Sequence, residues 1–176
     1  MPPAPAARAK VLQAFADLLV DSGERSATLD AVAERAGVSK GGLLYHFPSK
    51  DALVEGVVDH LRDLITADVA RMRAAEEGPV AYLLRTSSDV GSAFDRTYLA
   101  VTQLAQGPYP WARATLDHAQ EAWTEAVTTE VHDAAVARAI VLLSDGIYYR
   151  ASTGIAAPPL AELLALVGRL RSPATA

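Results

Sequence analysis

Apolar side chains return along the first stretch of the chain at Val11, Leu12, Phe15, Leu18 and Leu19, the stripe of an amphipathic helix. Ser22 and Gly23 supply a stop, so the pattern predicts a helix from about Ala6 to Asp21. A shorter stripe follows at Leu29, Val32, Ala33 and Ala36. Thr28 is placed to cap it, and Gly37 stands where a left-handed residue closes a helix. Gly37-Val38-Ser39 leaves room only for a tight turn before a third helical segment, Ser39 to Phe47. Pro48 ends that segment, Ser49 caps a fourth helix, and Asp51 suits its positive N-terminus. The fourth helix carries Leu53, Val54, Val57, Val58, Leu61 and Ile65 and continues to about Arg73, long enough to join two modules.

Beyond it, breakers at Gly78-Pro79, Gly91, Gly107-Pro108 with Pro110, Gly154 and Pro158-Pro159 divide a periodic sequence into about five more helices. No run alternates with period two, which predicts an all-α fold of about nine helices, and no fixed repeat points to a solenoid. Composition agrees. Of 176 residues, 51% are hydrophobic and only 6% aromatic, a mixture rich in alanine and leucine that favours helix over strand and excludes disorder. The absence of cysteine removes disulfide scaffolds, thiol catalysis and iron–sulfur clusters together. Neither a secretory signal in the Pro- and Ala-rich start, Met1 to Ala7, nor a membrane span is read, and the expected location is cytoplasmic.

The net charge of −5 argues against a polyanionic partner at first sight. Residues 1–60 hold six basic and eight acidic side chains, so the N-terminal part is not basic either. All three lysines, Lys10, Lys40 and Lys50, nevertheless lie there. Any nucleic-acid contact would rest on few phosphates and on matched shape rather than on a general basic surface.

The most specific feature is TLDAVAERAGVSKGGLLYHFPSKDAL, Thr28 to Leu53. It has the logic of a helix-turn-helix. Ala33 is small enough for two helices to approach, Gly37 makes the turn, and Val38 and Leu43 fill the angle. Its second helix would present Ser39, Lys40, Gly41, Gly42, Tyr45 and His46, which offer donors, a cation and two glycines that permit close backbone approach. Lys40 and Lys50 flank this face, and Thr28 adds a hydroxyl. Taken singly, Thr28 is also a plain cap, the lysines ordinary solvated cations, and Tyr45 with His46 a half-buried aromatic pair. Their joint spacing carries the signal.

In Thr28, Val32-Ala33, Ala36-Gly37-Val38-Ser39, Gly41, Leu43, Tyr45-His46-Phe47, Lys50 and Leu53 the chain resembles the TetR-type (tetracycline-repressor-like) transcriptional regulators over roughly its first third. That resemblance implies a helix-turn-helix DNA-binding domain at 1–50 and a helical ligand-binding and dimerisation bundle at 51–176, reached through the long fourth helix. It further implies a sequence-specific regulator, a repressor released by a small-molecule effector, and no enzyme, cofactor or metal. Leu44 stands where such regulators commonly carry tyrosine, which makes it a candidate apolar contact to a thymine methyl. The DNA-contacting set is therefore Thr28, Ser39, Lys40, Gly41, Gly42, Leu44, Tyr45, His46 and Lys50.

Two other chemistries have a partial signature in the sequence. Gly37-Val38-Ser39-Lys40-Gly41 satisfies the G-x-S-x-G pattern of serine hydrolases, but that elbow needs a preceding strand and Asp30 to Ala36 reads as a helix. His118 and Glu121 share a helix face without a third ligand, and His60 and His132 read as solvated. A helical protein-interaction module that has lost DNA binding is the alternative from another class.

In the remainder, Tyr82, Phe94, Tyr98, Thr102, Trp111, Trp123 and Asp145 are candidates to line an effector pocket, the acidic residue favouring a cationic ligand; each aromatic also reads as ordinary core. Ala134 to Leu143 is apolar except for Arg138, and the last helix carries Leu160, Leu163, Leu164, Leu166, Val167 and Leu170. This surplus predicts a homodimer through the last two helices, whose paired heads would meet a roughly palindromic operator in double-stranded DNA.

Overall fold

The computed structural model describes residues 4–171; Met1 to Pro3 of the Pro- and Ala-rich start lie outside them. Among the described residues there are nine α-helices and no strand: α1 (Ala4–Ser22), α2 (Leu29–Ala36), α3 (Lys40–His46), α4 (Lys50–Ala74), α5 (Pro79–Thr86), α6 (Ala93–Leu104), α7 (Pro110–Val131), α8 (Ala134–Ser152) and α9 (Leu160–Arg171). No helix among them is long and apolar enough to cross a membrane.

The helix ends follow from local chemistry. Thr28 Oγ1 accepts from the Ala31 amide at 3.2 Å and opens α2. Gly37, at φ 66°, closes it: the Gly37 and Val38 amides donate to Glu34 and Ala33 carbonyls at 3.1 and 3.0 Å, the paired bonds of a Schellman cap. Ser92 and Asp95 form a capping box at the start of α6. Pro79 occupies the first turn of α5, where the Val80 amide is met by the Glu130 carboxylate of α7 at 2.9 Å.

Between α7 and α8 no glycine or proline marks the break. His132, at φ 57°, supplies the left-handed turn, and Asp133 Oδ1 accepts from the amides of Ala135 and Val136 at 2.8 and 3.1 Å. Those backbone bonds hold the Asp133 carboxyl below the usual carboxylate range.

The helices form two compact units. One comprises the residues up to Ile65 together with Gly91–Asp117, and the other Thr66–Val90 together with the residues from His118 on, so α4 and α7 contribute turns to both. In the first, α1 packs on α2, α3 and α6. Leu12, Phe15, Leu19, Leu43, Leu53, Leu61 and Leu104 are fully buried there, each stabilising the fold by about 1.5–3 kcal/mol relative to exposure.

An ionic clamp joins three helices of this unit. Arg96 of α6 donates to the Asp17 carboxylate at 2.8 Å and to Asp21 at 2.7 Å, and Asp21 also takes Arg35 of α2 at 2.6 Å. Hydrogen bonds from Arg96, then Arg35, hold the Asp21 carboxyl below its ordinary range. His60 departs from expectation: it is half-buried on α4, and burial lowers its pKa.

In the second unit α5, α8 and α9 pack together over Met72, Leu84, Val127, Ile140, Ile147 and Val167. Part of the apolar surplus of α8 and α9 stays uncovered within the chain. Leu142 is 70% and Tyr149 63% exposed, and Leu166 and Leu170 of α9 are exposed as well.

Candidate nucleic-acid interface

The turn between α2 and α3 consists of Gly37, Val38 and Ser39. Ser39 Oγ accepts from the Gly42 amide at 3.1 Å and caps α3. Ser39 therefore follows a helix and serves as a cap, which removes the strand that a nucleophile elbow requires.

Leu43 and Phe47 anchor α3 to the core, and this fixes which side faces outward. Gly41, Gly42, Leu44 and Tyr45 are exposed, with Tyr45 at 83%. So large an exposed aromatic stands on a seven-residue helix whose buried residue is Leu43. His46 is half-buried and meets the Tyr45 ring edge-on at 5.1 Å.

The cations of this region all have carboxylate partners: Arg35 on Asp21 at 2.6 Å, Lys40 on Asp30 at 2.8 Å and Lys50 on Glu24 at 3.4 Å. Lys50, also expected to face phosphate, is half-buried. It donates to the Glu24 carbonyl at 2.8 Å, while the Tyr109 hydroxyl reaches the same Glu24 side chain at 3.1 Å. Burial, then Glu24, raises the Tyr109 pKa. We expect Lys50→Ala to cost about 1 kcal/mol through the lost backbone bond, a fall of roughly 2–4 °C in melting temperature. An unchanged melting curve would return Lys50 to the purely DNA-facing role.

The residues expected to line an effector pocket divide between the two units. Phe94 stacks on Tyr98 at 6.2 Å, Thr102 donates to the Tyr98 carbonyl at 2.9 Å, and Trp111 meets Tyr109 edge-on at 5.5 Å, all in the first. In the second, Tyr82 and Trp123 converge on Asp68, which the sequence reading missed. The Tyr82 hydroxyl and the Trp123 indole N–H donate to its two carboxylate oxygens at 3.0 and 3.1 Å. Asp145 is exposed on α8 and accepts from Gln120 at 3.2 Å. A groove of about 590 Å³ in this unit, between α7 and α8, is lined by residues including Thr124, Thr128, Val141 and Leu142, and by none of the seven.

Residues 11–57, from α1 through the first turns of α4, match the family model described as bacterial regulatory proteins, tetR family. Over 132 residues the chain is 34% identical to the HTH-type transcriptional activator FasR of Mycolicibacterium smegmatis, covering 68% of this chain and 56% of that one. Through its helix-turn-helix segment the chain belongs to the tetR family. Another member, the HTH-type transcriptional regulator BetI of Burkholderia mallei, is 35% identical over 94 residues, 53% of this chain and 47% of its own. The chain thus spans about half the length of the curated tetR-family relatives it matches.

Solved structures share this fold. A TetR-family transcriptional regulator from Rhodococcus sp. superimposes with a TM-score of 0.69 at 22% identity, covering 94% of this chain and 99% of that one. The multidrug binding protein EbrR, solved with imidazole, gives 0.62 at 23% identity over 96% and 97%. At these identities the likeness is one of fold.

Proposed function

We propose that the chain is a sequence-specific DNA-binding regulator of transcription that responds to a small-molecule effector, and not an enzyme. The observation that carries this reading is the outward face of α3, on which Gly41, Gly42, Leu44 and Tyr45 are exposed while Leu43 and Phe47 are buried beneath them. Thr28, Ser39, Lys40, His46 and Lys50 complete the DNA-facing set, with residues 1–50 acting as the reading head and 51–176 as the ligand-binding and dimerising part. The family membership of residues 11–57 and the regulator names of FasR and BetI support it.

Uncovered Leu142, Tyr149, Leu166 and Leu170 support a homodimer through α8 and α9. Two α3 helices in one dimer would enter successive major grooves about 34–36 Å apart, or a small multiple, on a roughly palindromic operator. The effector acts by its differential affinity for two dimer geometries, only one of which fits the operator spacing. Chemistry for such a ligand is at hand in EbrR, named as a multidrug binding protein.

Titration of labelled duplexes from the DNA upstream of the chain's own gene, at several salt concentrations, tests the reading. Selective, salt-sensitive binding is expected, and Tyr45→Ala should weaken it about tenfold or more with an unchanged melting curve, since Tyr45 contributes little to the core. No preference for any of those duplexes over unrelated DNA would favour the protein-interaction module.

A further inference from the structure

Arg35, Lys40 and Lys50 each have a carboxylate partner, at 2.6, 2.8 and 3.4 Å. A cation so engaged must leave one anion to take another, so it gains only the difference when it meets a phosphate. Arg8 of α1 stands outside that pairing. It is exposed, and among the described residues it makes no ion pair and no hydrogen bond. Its guanidinium carbon lies 5.4 Å from the centroid of the Phe47 ring. A guanidinium held over an aromatic ring spends none of its N–H donors on the ring's own account and keeps them for another acceptor. Lys10 and Arg25 are exposed in the same unit, but among the described residues no ring contact ties either of them to α3.

Phe47 fixes where Arg8 stands. The Phe47 amide closes α3 on the Leu43 carbonyl at 2.8 Å, so its ring marks the C-terminal end of that helix. The His46 ring lies 6.4 Å from it, and the exposed Tyr45 ring 5.1 Å beyond His46. Arg8 therefore adds a cation to a row of rings that starts on the outward face of α3. The seven residues of α3 span about 10 Å, and a major groove is about 12 Å wide. A recognition helix meets base edges with its N-terminal residues, which leaves a group beside its other end at the phosphate wall. On α4, burial lowers the His60 pKa, Asp63 opposes this and the Arg8 charge adds to it. Arg8 is thus felt on α4 through space, while Asp63 makes no ion pair with it.

We propose that Arg8 is a phosphate-contacting residue: held over Phe47, it binds the DNA backbone beside the C-terminal end of α3 and helps to seat that helix in the groove. This rests on the DNA-binding reading above. The contact carries no sequence preference of its own, since a phosphate is the same on every duplex. It supplies what the net-acidic head lacks, a cation that reaches DNA without first breaking an ion pair.

Salt dependence separates this role from a merely structural one. Arg8→Met keeps a long side chain over Phe47 and removes the charge. It should leave the melting curve close to that of the wild type and reduce the salt slope of duplex binding by about 0.9 per subunit. The loss in affinity then grows about eightfold per subunit for each tenfold fall in salt. Arg8→Lys keeps the charge and should keep most of the slope. A wild-type slope in Arg8→Met would overturn the proposal. So would an equal loss in Arg8→Lys, which would trace the effect to the fit over Phe47 rather than to charge.

Measuring the slopes on duplexes from upstream of the chain's own gene and on unrelated duplexes keeps the two readings apart. Were the wild type to bind all of them alike, the regulator reading would fail, and the slopes would still decide whether Arg8 meets phosphate. Were it to prefer one duplex while Arg8→Met kept the slope on it, the regulator reading would stand without this contact. Binding to no duplex would remove both. Superimposable far-UV spectra establish that the variants compared are folded.

Discussion

Replacing Gly56 with alanine is expected to destabilise the first unit and loosen α3, although alanine is the better helix former. Gly56 lies within α4 and is buried. A Cβ there would sit 2.6 Å from Phe47 Cε1 and 3.0 Å from Leu12 Cδ2, closer than carbon atoms pack. Phe47 has little freedom to yield. Its amide closes α3 by donating to the Leu43 carbonyl at 2.8 Å, and its ring is almost wholly buried. Helix propensity favours alanine by about 0.5–1 kcal/mol, whereas overpacking a filled core costs about 1–3 kcal/mol. Overpacking wins because the ring that must move is attached to α3. A net loss near 1–2 kcal/mol lowers the melting temperature by roughly 2–8 °C, and operator affinity should fall with it. A variant that melted higher than the wild type would mean the Phe47 ring can rotate aside at no cost, and that α3 does not depend on this contact.

Gly56 also shows where the sequence ceases to be legible. The helix-turn-helix could be read from Thr28, Gly37, Ser39 and Leu43 because caps, turns and stripes are written in neighbouring residues, within three or four positions of the groups they serve. Nothing local says that Gly56 must lack a Cβ; the reason stands on α3 and α1. The same holds for Lys50, whose partner lies 26 residues away, and for Arg96, which reaches Asp17 and Asp21 across 79 and 75 residues. Charged residues look solvated in a sequence until the fold supplies a counterion.

The break between α7 and α8 was obscure for a different reason. His132 takes a left-handed conformation that glycine usually fills, and Asp133 is a cap that a charged surface position resembles. The aromatics of the middle helices carried a helical period but no mark of which unit would receive them. Tyr82 and Trp123 share Asp68 in the second unit, while Phe94, Tyr98 and Trp111 belong to the first.

Asp68 is where the second large effect is expected. Its half-buried carboxylate on α4 takes the Tyr82 hydroxyl of α5 and the Trp123 indole N–H of α7, with Arg71 at 3.4 Å as an ionic neighbour. Hydrogen bonds to an ionised acceptor contribute about 1.5–3 kcal/mol each, and the exposed ion pair with Arg71 much less. Asp68→Ala removes both bonds and leaves a space where the carboxylate stood, so a loss of about 3–5 kcal/mol and a fall of roughly 6–20 °C in melting temperature are expected. Asp68→Asn should lose less, since one amide oxygen still accepts, but its NH₂ cannot accept from the second donor.

Trp123 reports the change directly. In a Trp111→Phe background its emission should shift on Asp68→Ala as the indole loses its charged acceptor. Tyr82 gives a second readout with a defined sign. Burial is the first cause of its raised pKa, Asp68 adds to the rise, and the Arg71 hydrogen bond opposes it. Deleting the carboxylate removes an upward contribution, so the Tyr82 hydroxyl should ionise at lower pH in Asp68→Ala than in the wild type. Were emission and tyrosine ionisation both unchanged while stability fell, the loss would belong to packing around α4, and the three-helix junction would not be held by this carboxylate.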